Sequence, residues 1–542
     1  MKENFEKMLM KSKKEFSFYI CIVFLFSLAF SVLSVISTKT VYGGELTHLN
    51  ETYIGMSFSA NNIVSIWGVA LLVSATILLL RYGLIIFDQK IQNRTKLSRA
   101  TYIVLMLLIV LCWMPYLLTF IPGGVWADTV NSIAQCLANT YNNHHPILYT
   151  FSWKALIHLL GTRLHLDWIW ITEAYVIIQT FMLSFACSYM LIWMYENGVH
   201  TVLIAAGFLY ICAFNNFPLY ALSLWKDTPF ACVFIIYVCI IGDLSLRPEC
   251  INDKKWIIKY AVTSVLLMFS RNNGIYIVIV TSFISLLYCH WKRVSVKRYL
   301  IVTLISIVSY FIITGPVYGA IGFKNADNRE ESYGIMLQQM GYIVSDDSSN
   351  ISQEERDVLN NILSIDKWKE VYTPADVDSI KWSEDFDHEY FNNNIKTIRK
   401  CYISLCTKNF KKAVEAYLLA TMGFWNIGKQ SSHGYVVLDN WALSELGDVK
   451  YNALNSLLGI DLTTKLRPVH YVSSAIFLWL YLFLGLIIVG IRKTNVIPLV
   501  PGYVLWATIM IATPIAFHHR YIIGVVFTMP VAVAMLDLTR RK

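Results

Sequence analysis

Charged side chains are scarce in this chain. Asp, Glu, Lys and Arg make up 15% of its 542 residues, against 56% hydrophobic ones, and the mean hydropathy is +0.51. A soluble protein of this length could not bury that much apolar surface. A cleavable leader is also lacking. The first apolar segment, Phe16 to Ile36, is longer than a signal-peptide core, and no clear small-residue cleavage site follows it. It reads as a retained first span. No internal repeat, low-complexity tract or convincing strand-rich section is present. Nothing points to nucleic acid, because no basic stripe is interleaved with aromatics and no nucleic-acid motif occurs. The eleven cysteines are odd in number and lie mostly in apolar runs, as small buried thiols do. Cys401 and Cys406, the pair in a polar region, match no metal-site spacing.

What the chain does have is a series of long apolar runs. About 20 residues is the length of a membrane-crossing helix. Twelve runs qualify, at 17–37, 63–87, 101–121, 168–195, 201–218, 228–246, 256–270, 274–290, 299–321, 470–491, 496–516 and 520–537. The expected fold is an all-α polytopic membrane protein of about 12 transmembrane helices. Basic residues orient it. With both termini cytoplasmic, the inner segments hold 21 of the 45 Lys and Arg residues. The short external segments hold six: Lys39, Lys154, Arg163, Lys226, Arg271 and Arg520. The net +9 is therefore a topology signature, since residues 322–468 carry 21 acidic and 16 basic side chains.

Three regions follow. Residues 1–321 form an N-terminal membrane module, 322–468 an extracytoplasmic domain and 469–542 the C-terminal membrane helices. The module contains a first large external loop, 122–167. In it, Val130, Ile133, Ala134, Leu137 and Ala138 recur at helical spacing, and Pro146 opens a second short helix. Both helices are too short to span and suit the outer interface. In the domain, "SQEERDVLNNIL" and the stretch from Asn392 to Trp425 read as helices.

The polar motifs converge on the outer face. "GGVWADTV" places Asp128 at a helix start, where a carboxylate is held rigidly and also suits an N-cap. His144 and His145 precede Pro146, and imidazole can donate to a phosphate or a sugar; a solvated turn is the plain alternative. The pair lacks a third partner at metal-ligand spacing. "LSLWKDTPF" holds Lys226 and Asp227, which an interfacial anchor with a local ion pair would also explain. "SRNNGIY" holds Arg271 and Asn272, and an arginine at that depth usually has an anionic partner. "FHHRY" adds His518, His519 and Arg520.

Pro122, Gly123, Asp128, His144, His145, Pro146 and Thr150, followed by "KDTPF" and "RNNG", resemble the first-loop pattern of a bacterial group of polytopic membrane proteins. More broadly, the arrangement resembles the GT-C superfamily of membrane glycosyltransferases. The likeness covers residues 100–320 well and the remainder loosely. It implies transfer of a sugar from a polyprenyl-phosphate-linked donor to an extracytoplasmic acceptor: a cell-envelope glycan, lipid or protein. It maps the catalytic base onto Asp128. His144, His145, Lys226, Asp227, Arg271, Asn272, His518, His519 and Arg520 are then candidates for substrate and phosphate binding. Many GT-C loops carry paired acids, whereas Asp128 is followed by Thr129, so the pattern does not support a bound divalent metal. The implied partners are the lipid-linked donor, the envelope acceptor and membrane lipids, with no nucleic acid.

Three other readings compete. A polysaccharide polymerase or ligase would use similar donors on the same face. A transporter or flippase of lipid-linked glycans would have as many spans, but such folds often show internal repeats and mid-membrane polar sites. A non-enzymatic membrane scaffold is the third.

Overall fold

A computed structural model describes residues 13–39, 60–86, 94–143, 145–320, 322–323, 329–374, 376–427, 451–466, 473–491, 493–512, 515–516 and 518–539. Among these residues the fold is helical and no strand occurs. Isolated bridges pair Ile121 with Tyr451, Gly124 with Ser223 and Asp376 with Ile515. Nine helices among the described residues are long and apolar enough to cross a bilayer, or ten if one bent pair is a single span. The chain is a multi-pass helical membrane protein.

Three of the twelve apolar runs take shorter or broken forms. The run 201–218 becomes Thr201–Ala213 and Asn216–Leu222, bent by 48°. Pro218 explains the break: its ring would clash with the Phe214 carbonyl in a continuous helix, and it has no N–H to offer. The run 256–270 is the helix Lys254–Ser270, of 17 residues. The run 496–516 begins with a 3-10 segment, Lys493–Leu499, which contains Pro498, and continues as Val500–Ile511.

Hydrogen bonds sort the helix ends into two groups. At one end Leu97 N donates to Glu196 Oε1 (3.1 Å), and His200 N donates to Asp537 Oδ2 (2.9 Å). At that end Arg298 also donates to Asn252 O (3.2 Å), and Asn495 to Thr539 Oγ1 (3.1 Å). The opposite end gathers Asp128, Lys226, Arg271 and Arg520. The shorter helices run between the same two ends as the long ones. Between the ends the helices pack tightly. Phe217 stacks on Phe527 at 4.1 Å between ring centroids. Gly242 lets Trp193 lie against its helix, since a Cβ there would fall 2.4 Å from the Trp193 ring.

The region after residue 322 has a separate apolar core, including Leu337, Ile343, Leu359, Trp368, Ile380 and Phe391. The first expected helix is Gln353–Ile362. Ser352 caps it, and Glu355 closes the reciprocal capping box. Burial pushes the Glu355 carboxyl up, but hydrogen bonds from Ser404, Ser352 and Lys408 outweigh this and bring it down to about 2. The stretch 392–425 is not one helix. Ile395–Lys408 and Phe410–Ala420 are separated at Asn409, whose side chain accepts from Asn350 N (2.8 Å) and donates to Asn350 O (3.0 Å). Such an exchange competes with the helical ladder.

The domain core ends before residue 422. Met422 and Trp425 pack instead with Ile36 and Trp479 of membrane helices, and Trp479 Nε1 donates to Trp425 O (2.8 Å). Tyr417 reaches Met510 O (3.2 Å), and the Asp376–Ile515 bridge makes a second seam. The domain therefore sits on the membrane-helix ends that carry the polar cluster.

Candidate functional site

The loop that carries Asp128 is shaped by small residues and backbone pairing. Gly123 has φ +89°, and a Cβ there would lie 2.5 Å from Leu222 O. Gly124 N donates to Leu222 O (3.0 Å), and Leu224 N donates to Gly124 O (2.9 Å). The loop is thus stitched to the segment that leads into Lys226. Thr129 extends the stitch. Its hydroxyl bonds Leu224 O and lies 2.8 Å from Tyr149 OH, which also donates to Leu224 O (2.7 Å).

The helix Ala127–Ala138 forms where the spacing predicts, but it is turned. Thr129, Ser132, Ile133, Gln135 and Cys136 are buried, while Ala134, Leu137 and Ala138 are exposed. Its polar side packs on the protein and much of its apolar side faces outward, as a helix at a lipid interface would. Trp126, not Asp128, occupies the N-cap position. Asp128 is second in the helix, and its carboxylate reaches across to cations. The negative charge in the first turn also complements the helix dipole. Pro146, expected at the first helical position, is instead the N-cap of Ile147–Leu156, so the helix starts one residue later.

The cluster contains two carboxylates and three cations. Asp128 Oδ2 lies 3.2 Å from Lys226 Nζ and 3.4 Å from Arg520 Nη1. Asp227 Oδ1 lies 3.0 Å from Arg271 Nη1, and its Oδ2 lies 3.8 Å from Arg520 Nε. Arg520 therefore bridges the two acids. The Arg520 guanidinium carbon is 5.4 Å from the centre of the Trp225 ring, and that of Arg271 is 5.5 Å from Tyr521, both within cation–π range. Lys226, Arg271 and Arg520 outnumber the two carboxylates by one positive charge.

The two acids differ in access. Asp227 is wholly buried, whereas the Asp128 side chain keeps 23% of its surface open. Asp227 thus acts as a fixed counter-charge that holds two arginines in place, and Asp128 can meet a ligand. Burial alone would push the Asp128 carboxyl up. Lys226, Arg520 and His145 outweigh burial and hold it well below the usual carboxylate range.

A cavity of about 660 Å³ opens beside the cluster. Asp128, Lys226, Arg271 and Arg520 line one part, and Asn272 and Pro146 lie beside them. A second cavity, of about 200 Å³, meets the first at Pro146 and Asn272 and includes His145 and Tyr318. His145 Nδ1 is 3.1 Å from Lys226 Nζ. His518 and His519 pack behind the cluster. His518 lies edge-on to Trp225 at 5.9 Å, while His519 stands against Phe477 and 3.5 Å from the Asn216 amide. His144 lies outside the described residues.

Several lining residues carried no signal in the sequence. Ser332, Asp378 and Trp382 come from the domain, and Tyr276 and Thr508 from membrane-helix ends; Asn273, of the "RNNG" turn, lines the cavity with them. Asn273 donates to Thr508 Oγ1 (2.9 Å). Among the described residues, no group of three His, Cys, Asp or Glu side chains could hold a metal ion. The donor set also does not fit a divalent cation, because both acids are already matched to Lys and Arg groups that would repel one. It suits an anion.

The model of a family of unknown function (DUF6020) matches residues 136–542. The chain belongs to this family. The DUF6020 match includes His145, Lys226, Asp227, Arg271 and Arg520 and begins just after Asp128. No curated protein and no solved structure matches the chain.

Proposed function

We propose that this protein is a GT-C-like membrane glycosyltransferase. It moves a sugar from a polyprenyl-phosphate-linked donor to a hydroxyl of an extracytoplasmic acceptor in the cell envelope. The observation that carries this reading is the Asp128–Lys226–Arg520 cluster, which opens on a large cavity at one end of the helix bundle. In this reading the apolar runs make twelve crossings, both termini are cytoplasmic and the cluster faces outward, which accords with the Lys and Arg distribution.

The sugar carbon is already bonded to a good leaving group, the phosphate. The reaction breaks that C–O bond and forms a new one to the acceptor oxygen. The acceptor proton goes to the Asp128 carboxylate, and the electron pair of the broken bond leaves on polyprenyl phosphate. Lys226, Arg271 and Arg520 stabilise the phosphate charge, in a setting where preset cations need no reorganisation.

Pairing with Lys226 and Arg520 makes Asp128 a weak base. A bound phosphate draws Lys226 and Arg520 toward itself and restores basicity to Asp128. Donor binding thereby prepares the base, and acceptor activation without donor is suppressed.

The test supplies purified protein in vesicles with a polyprenyl-phosphate-linked sugar and a mixed envelope acceptor fraction. Release of free polyprenyl phosphate together with a glycosylated product supports the reading. Movement of the donor between leaflets with its sugar–phosphate bond intact would show a transporter instead.

A further inference from the structure

The large cavity is polar in two senses. Its membrane-helix wall is cationic, through Lys226, Arg271 and Arg520. The domain wall opposes this with Asp378, Ser332 and Trp382, and none of the described domain residues that line the cavity is a cation. Lys381, in the same short helix as Asp378, is almost wholly buried and lies 2.7 Å from Asp378 Oδ1. Trp382 and Tyr276 both line the cavity and are 54% and 58% exposed, which leaves their rings open to a ligand. Asn272 and Asn273 add amide donors and acceptors between the two walls.

The domain wall is also fixed relative to the cluster. The Asp376–Ile515 bridge joins the turn before Asp378 to the stretch leading into Arg520. Asp378 N donates to Asp376 Oδ1 (2.8 Å), which extends the tie into the short helix Asp378–Lys381. The two walls are therefore set against each other by backbone.

From this geometry we infer that Asp378, Trp382 and Tyr276 form a subsite for an uncharged saccharide, which is the acceptor. The inference rests on the transferase reading for the word acceptor, but the binding itself does not need turnover. An aromatic face covers the C–H side of a pyranose ring, and a carboxylate accepts from two neighbouring hydroxyls. This wall offers an anionic sugar no cation, since Lys381 is buried against Asp378. The cavity thus orients its contents, with phosphate toward Arg520 and neutral sugar toward Asp378.

Saturation-transfer NMR on the purified full chain tests this, with methyl glucopyranoside, methyl galactopyranoside and methyl glucuronide as probes. The neutral glycosides are expected to receive saturation that inorganic phosphate does not displace, whereas the anionic glucuronide should bind at the cationic wall and be displaced by phosphate. Trp382→Ala should weaken glycoside binding roughly ten-fold, the loss of one good contact, and Trp382→Phe should restore part of it. Asp378→Asn keeps the shape and removes the charged acceptor of the sugar hydroxyls, so it should also weaken glycoside binding. Asp128→Asn should stop sugar transfer while the neutral glycosides still receive saturation, which separates this subsite from the chemistry. Absence of any glycoside signal, displacement of the neutral glycosides by inorganic phosphate, or no effect of Trp382→Ala would each overturn the inference.

Discussion

The Lys226 ammonium stands 3.2 Å from the Asp128 carboxylate, although one residue precedes a membrane helix and the other lies in the first large loop. The contact depends on the loop being stitched to residues 222–224. It makes Asp128 a paired acid in the resting protein and not an available base.

That pairing fixes the sign of a pH effect. The Asp128 carboxyl is held well below the usual carboxylate range, so the free enzyme keeps it ionised as pH falls through that range. The acid limb of kcat/KM should therefore lie lower than that of an unpaired aspartate. Lys226→Met removes one cation and should move the limb upward while weakening donor binding. The stability linked to Asp128 is present above the unfolded-state value and is lost as pH falls through the folded one. A pH–rate profile for both proteins checks this; an unmoved acid limb in Lys226→Met would count against the pairing.

Asp227 should behave differently from Asp128. It is buried and faces two arginines. Removing one partner of a buried pair costs about 3–5 kcal/mol, so Asp227→Ala should markedly lower the unfolding temperature in detergent. Asp128→Asn, at a side chain that keeps 23% of its surface open, should lower it less. A thermal-unfolding series comparing the two variants tests whether Asp227 is the fixed counter-charge.

The loop geometry gives a third expectation. Gly123→Ala places a Cβ against Leu222 O at a left-handed backbone position. Thr129→Val removes the hydroxyl that bonds Leu224 O and contacts Tyr149, at a cost of about 1–3 kcal/mol. Both should reduce activity by displacing Asp128, although neither side chain lies in the cavity. Transfer rates measured beside protein yield separate displacement from loss of protein.

Much of this was legible in the sequence. The apolar runs place the helices, and the polar turns with Asp128, Lys226, Arg271 and Arg520 collect at one end of the bundle as expected. The pairing was not legible, because it depends on which helices are neighbours. Arg520 meets both acids from the far end of the chain. The orientation of helix Ala127–Ala138 was also hidden, since periodicity marks an apolar stripe without saying whether protein or lipid lies against it. Trp382 and Asp378 carried no motif. They reach the cavity through the docking of a domain whose contacts are set by tertiary packing.

Topology has its own test. Thr140→Cys lies after the Asp128 helix, and Ser295→Cys lies between Gly274–Trp291 and the helix Lys297–Ile312. In intact cells an impermeant thiol reagent should label position 140 and spare position 295, measured above the parent chain. The reverse pattern would put the cluster in the cytoplasm, away from any extracytoplasmic acceptor.

The most direct measurement is the sugar-transfer rate of Asp128→Asn beside its affinity for the polyprenyl-phosphate donor. The substitution keeps the shape of the side chain and removes its charge and most of its basicity. If Asp128 is the base, turnover falls by roughly 100-fold or more, with donor affinity and protein level near those of the wild type. Unimpaired transfer by Asp128→Asn would contradict the account.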